Sequence, residues 1–146
     1  KGKSINVLDI CFGLGYNSAS LLDELIKQKS YLNLYALEID KKPFEYALRN
    51  QSFLRLWDPR VRNIFESLHR NAYFEDQFFK CKILWGDARE KINIIPSANK
   101  FDLIYLDGPD QFSPVGDIRG ISTRHQDRFQ CLQTYYLLNI FCIQAL

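Results

Sequence analysis

The chain is expected to fold as an α/β domain on a doubly wound, mostly parallel sheet, and three observations lead there. Four short apolar runs, residues 5–10, 32–39, 81–85 and 101–106, alternate with stretches of helical period. Each run is nearly continuous, the pattern of a strand covered on both faces. The first run passes into Cys11-Phe12-Gly13-Leu14-Gly15-Tyr16-Asn17. There, glycine at 13 and 15 permits a tight turn and a close backbone approach to a ligand.

The elements follow in order. After the turn, residues 18–28 carry Leu21, Leu22, Leu25 and Ile26 as an apolar helical stripe, with Asn17 as its expected N-cap. The second strand ends in Leu37-Glu38-Ile39-Asp40, about 20 residues beyond the turn, the spacing of a carboxylate that holds ribose hydroxyls. Pro43 suits a first helical position, and the pattern runs on through Tyr46, Ala47 and Leu48. Residues 50–80 exceed what a strand–helix–strand unit needs, and their aromatic spacing predicts one or two inserted helices. The third strand leads into Gly86-Asp87-Ala88-Arg89, and the fourth into Asp107-Gly108-Pro109. Residues 109–128 read as a long loop, and the apolar tract 129–146 as a core-facing helix too interrupted by Gln and Asn to span a membrane.

Composition narrows the class. The 146 residues are 47% hydrophobic and 25% charged, enough for one domain with one core. A net charge of +2 excludes capture of nucleic acid by the whole molecule's field. Cys11, Cys81, Cys131 and Cys142 form no CxxC pair, so reduced core thiols are expected and a metal site is not. No signal peptide opens the chain, and the expected location is cytoplasmic, or an organellar stroma if plastid-encoded. With no internal repeat and no linker, residues 1–146 read as a single domain. The absence of methionine, and an end where a further parallel strand is due, suggest a fragment lacking its C-terminal strands.

Acids close all four strands: Asp9, Glu38, Asp87 and Asp107. Alone, each is read equally well as a helix cap or a turn residue. Together they open onto one sheet edge, where ligands bind in such folds. The glycine turn, Glu38, the Gly-Asp-Ala-Arg site and Asp107-Gly108 resemble class I S-adenosylmethionine-dependent methyltransferases, which are Rossmann-like. The Phe12-Gly13-Leu14-Gly15-Tyr16-Asn17 form resembles most closely the MnmC-type family of tRNA wobble-uridine modification, over residues 6–114. The resemblance implies S-adenosyl-L-methionine held by Asp9, Phe12, Gly13, Gly15, Asn17, Glu38, Asp87 and Ala88. It also implies N-methylation of the aminomethyl group of a modified uridine, with Asp107 as the catalytic carboxylate. Pro109-Asp110-Gln111 separates Asp107-Gly108 from Phe112-Ser113-Pro114, a departure from the family that makes Asp110 the reserve candidate.

Between residues 41 and 70, seven Lys and Arg face three acids, with Phe53, Trp57 and the nearby Tyr73 interleaved. This stretch, 41–73, is the candidate contact for tRNA phosphates and bases, unless its aromatics simply pack inward. Two other readings compete. One is a spermidine-synthase-like aminopropyltransferase, given the acidic, Pro-containing turn at 107–116. The other is a catalytically silent methyltransferase remnant that only binds RNA or a protein.

Overall fold

The computed structural model describes residues 4–106, and their chain order is strand, helix, strand, three helices, two strands, helix and strand. These are β1 (Ser4–Ile10), α1 (Tyr16–Gln28), β2 (Tyr31–Glu38), α2 (Lys42–Arg49), α3 (Gln51–Leu54) and α4 (Pro59–Asn71). There follow β3 (Tyr73–Glu75), β4 (Phe79–Trp85), α5 (Ala88–Lys91), a 3-10 turn (Ile92–Ile94) and β5 (Leu103–Leu106). One sheet forms in the order β3-β4-β2-β1-β5. Every pairing is parallel except the edge pair β3–β4. The expected Rossmann-like α/β architecture is therefore what these residues build.

Register brings the strand ends to one rim. Ile10 lies opposite Leu37 and Leu106, and Glu38 lies opposite Trp85. From β1 the chain moves outward through β2 to β4, then crosses back to β5 on the other side of β1. That reversal makes the carboxyl end of β1 the switch point, where open α/β sheets bind ligands.

The core lies under α1, α2 and α4. Val7, Leu34, Ala36, Phe79, Cys81 and Ile83 from the sheet meet Leu22, Phe44, Ile64, Phe65 and Leu68 from the helices in one buried cluster. Local chemistry fixes the helix ends. Asp58 caps α4 by accepting from Arg60 N at 2.8 Å, with Pro59 at the first helical position. Asp23 of α1 accepts from Asp58 N at 2.7 Å and so ties the start of α4 to α1. Ala72, in the left-handed region at φ 56°, ends α4, and its N–H returns to Leu68 O at 2.9 Å.

Four expectations change. Asn17 is not the N-cap of α1: Gly15 holds that position at φ 79°, and Asn17 lies within the first turn. The insertion is not wholly helical, because Tyr73–Glu75 turns back as an antiparallel edge strand on β4. Strand β4 is not covered on both faces: Phe79, Cys81 and Ile83 are buried while Lys80 and Lys82 between them are exposed. The fourth strand begins at Leu103 rather than 101, because Asp102 turns back to β1. Its N–H donates to Asn6 O and its carboxylate accepts from Asn6 N, both at 2.8 Å. Burial pushes the Cys81 thiol well up, as suits a reduced core cysteine; Cys131 and Cys142 lie outside the described residues.

The two glycines of the turn differ in what they tolerate. A Cβ on Gly15 would sit 2.6 Å from Phe12 Cζ and 2.9 Å from Phe65 Cε2, at a φ of +79°. A Cβ on Gly13, at φ +57°, meets only Cys11 O at 3.8 Å. Gly15→Ala is therefore expected to lower the unfolding free energy by about 2–4 kcal/mol, combining overpacking with left-handed strain. Gly13→Ala is expected to cost about 1 kcal/mol, from strain alone. Urea denaturation of the two variants checks the order; equal losses would refute it.

Candidate cofactor and catalytic site

The rim is assembled from backbone amides and a few carboxylates. Cys11 enters the turn at φ 63°, and the N–H groups of Cys11 and Phe12 donate to Leu37 O at 3.0 and 3.2 Å. The turn closes with Gly15 N donating to Phe12 O at 2.8 Å. Gly13 N donates to Glu38 Oε2 at 2.7 Å, while Glu38 Oε1 accepts from Ile39 N at 2.7 Å and Asp40 N at 2.9 Å. Glu38 is only 8% exposed. A carboxylate offers about four acceptor positions, so these three amides leave one, on Oε2, directed by the turn that Glu38 holds.

Asp9 is 1% exposed and accepts from Ser18 Oγ at 2.6 Å, which fastens the first turn of α1 to the end of β1. Its register partner on β5 is Tyr105. Burial, and secondarily the Asp9 charge, push the Tyr105 hydroxyl above its ordinary range. Phe12 also faces inward. Its ring meets Phe44 edge-on at 4.9 Å and Phe65 at 5.7 Å, so its backbone belongs to the turn and its side chain to the core. Asn17 is half-buried at the start of α1.

On the β4 side, Gly86 N donates to Glu38 O at 2.8 Å and joins that strand end to β2. Asp87 then caps α5, accepting from Arg89 N at 2.9 Å, with Ala88 as the first helical residue. The Arg89 guanidinium meets both Asp87 oxygens, Nη2 to Oδ2 at 2.6 Å and Nε to Oδ1 at 3.0 Å. This forked contact, followed by the Arg89 N–H, holds the Asp87 carboxyl at about 2. Lys41 places its ammonium 5.2 Å from the centre of the Trp85 ring, a cation–π contact between the ends of β2 and β4.

The structure thus brings the glycine turn, Glu38, Asp87 and Ala88 to one rim and sets Asp9 beneath it. Asp107 directly follows Leu106, whose register partner is Ile10, but Asp107 and Asp110 lie outside the described residues. Sequence reasoning missed Ser18, Tyr105 and the Lys41–Trp85 pair. Register alone could have suggested Tyr105, but no local pattern marks the others.

Comparison with known proteins agrees with this geometry. No protein-family model and no curated protein sequence matches the chain. Among solved structures, MnmC2 from Aquifex aeolicus matches with a TM-score of 0.53 at 30% identity over 77% of this chain. The fold is that of an MnmC-like methyltransferase. The chain spans about a third of that structure's length, 33%. Among the described residues, no cluster of His, Cys, Asp or Glu could hold a metal ion. Nor is any described helix long and apolar enough to cross a membrane.

Two predictions follow from the clamp and the fork. Glu38→Gln keeps the shape but weakens three charge-assisted bonds, and is expected to cost about 1–3 kcal/mol of stability in urea denaturation. An unchanged midpoint would show that the carboxylate does not hold the turn. Asp87 lies below its ordinary 3.8 in the folded state, so its pairing stabilises the fold above that pH and is lost as pH falls through about 2. Carboxyl NMR titration is expected to give a midpoint near 2 that returns towards 3.8 in Arg89→Ala.

Proposed function

We propose that the chain is an S-adenosylmethionine-dependent methyltransferase that acts on the aminomethyl group of a modified wobble uridine in tRNA. The observation that supports this most is the glycine turn clamped by Glu38 at the switch point of an MnmC-like fold. The residues fit the cofactor. A Cβ at Gly13 would meet only Cys11 O, at 3.8 Å, and Glu38 Oε2 retains an acceptor position for a ribose hydroxyl. Asp87 and Ala88 provide the neighbouring wall, and Asp9, Phe12, Gly15 and Asn17 shape the turn and the start of α1 from below. When bound, S-adenosylmethionine supplies an electrophilic methyl group on a sulfonium.

The chain's own work is positioning and proton removal. Fixing two reactants in near-attack geometry can remove much of a barrier. A primary alkylamine has a pKa of about 10.4, so only about one in 10³ is neutral at pH 7. Deprotonating it costs on the order of 4–5 kcal/mol, at about 1.36 kcal/mol per pKa unit. Asp107, which follows Leu106 in the sequence, is the proposed proton acceptor, with Asp110 three residues on. A carboxylate there hydrogen-bonds the ammonium, orients it and takes its proton.

The test is transfer of a labelled methyl group from S-adenosylmethionine to tRNA bearing 5-aminomethyl-uridine. Incorporation is expected, with a loss of at least about 100-fold in Asp107→Ala, the scale of general-base catalysis. No incorporation overturns the reading. Preference for the decarboxylated cofactor favours aminopropyl transfer, and a fully active Asp107→Ala removes Asp107 from the role.

A further inference from the structure

Packing of α4 against α2 leaves a cleft of about 340 Å³ lined by Glu45, Leu48, Arg49, Glu66, His69 and Arg70. Its two glutamates and two arginines balance in formal charge, but the glutamates face side chains other than those arginines. Glu66 Oε1 is taken by Arg62 Nε at 2.9 Å, and Glu45 Oε1 faces His69 Nε2 at 3.5 Å. Arg70 spends only its Nε, on Glu66 O at 3.3 Å, which leaves its terminal nitrogens to the cleft. Arg49 has no hydrogen bond or ion pair among the described residues. Two planar guanidinium groups therefore line one concavity in which Glu66 is paired with Arg62 and Glu45 faces His69. Guanidinium forks match phosphate oxygens in pairs, which an ammonium cannot do.

Of the other basic residues of the stretch, Lys41, Arg60 and Arg62 are engaged, while Lys42 and Arg55 lie outside the cleft. Arg60 pairs with Asp76 at 3.0 Å and lies over Phe78 and Phe79, and Lys41 lies over Trp85. Trp57 and Phe53 pack with Tyr16, at 5.1 and 6.5 Å, and against the core, so they form no free stacking platform. The cleft and the rim share one piece of core: the buried Phe44 ring lies 6.2 Å from the His69 ring and 4.9 Å from that of Phe12 of the glycine turn. We infer that the α2–α4 cleft binds phosphates of an RNA backbone through Arg49 and Arg70, so that the strand runs from this cleft to the rim. This rests on the proposed tRNA substrate and names the anchor that holds it.

The test measures binding of end-labelled tRNA to the full chain by fluorescence anisotropy across a salt series. Arg49→Ala/Arg70→Ala is expected to weaken binding about ten-fold and to lower the slope of log affinity against log salt by about 1.4–1.8, the loss of two phosphate contacts. Lys82→Ala/Lys100→Ala removes the same charge elsewhere and is expected to change affinity less than about two-fold, with thermal melts showing that both variants fold. Equal losses in the two variants, no binding of tRNA by the wild type, or displacement by polyglutamate as readily as by tRNA would each overturn the cleft assignment. Methylation of tRNA with binding unaffected by the arginine pair overturns the cleft and leaves the methyltransferase reading. Arginine-dependent binding without methyl transfer does the reverse.

Discussion

Everything at the rim depends on where one buried carboxylate points. Glu38 ends β2, yet its oxygens are committed to the amides of Gly13, Ile39 and Asp40. An amide held by a charged acceptor is fixed more firmly than one held by a carbonyl. The clamp therefore sets the turn after β1 from the neighbouring strand, and the two strand ends cannot move independently. Gly86 N on Glu38 O extends the constraint to β4. A site built this way is ordered before any ligand arrives, which limits the entropy that binding must remove.

The second constraint comes from below. Phe12, Phe44 and Phe65 stack edge to face under the turn, and Phe65 reaches the space a side chain on Gly15 would need. Phe65 belongs to α4, within the segment that exceeds a minimal strand–helix–strand unit. The inserted helix therefore supports the glycine turn as well as enlarging the core. Asp23 on Asp58 N secures the same helix to α1 from the other end.

Much of the architecture was legible in the sequence because apolar runs and their spacing report burial directly. Strands β1, β2, β4 and β5 lie within a few residues of the apolar runs that announced them, and Pro43 marks the start of α2. What failed did so for local reasons. Tyr73-Phe74-Glu75 is too short for alternation to stand out among aromatics of helical spacing, so β3 was hidden. Lys80 and Lys82 interrupt the apolar pattern of β4, and only the folded sheet shows that their face is open. Asn17 has the chemistry of a cap, but the left-handed backbone at Gly15 starts the helix two residues earlier. The places of Glu38 and Asp87 at the strand ends could be read from sequence, while Asp107 lies outside the described residues. The partners of the acids could not, because Ser18 on Asp9 and Gly13 on Glu38 are tertiary contacts. The basic stretch was visible as composition, yet only the folded chain shows Arg60 and Arg62 paired and Arg49 and Arg70 brought to one cleft.

The indole of Trp85 stands at the end of β4 with a lysine ammonium over its ring, beside the strand end that carries Glu38. The chain has only two tryptophans, and the other, Trp57, is packed among aromatics against the core. Emission from Trp85 is sensitive to a nearby charge, and anything that settles at the rim and displaces Lys41 alters it. A ligand that moved Lys41 off the ring would thus change the charge beside one of only two indoles in the chain.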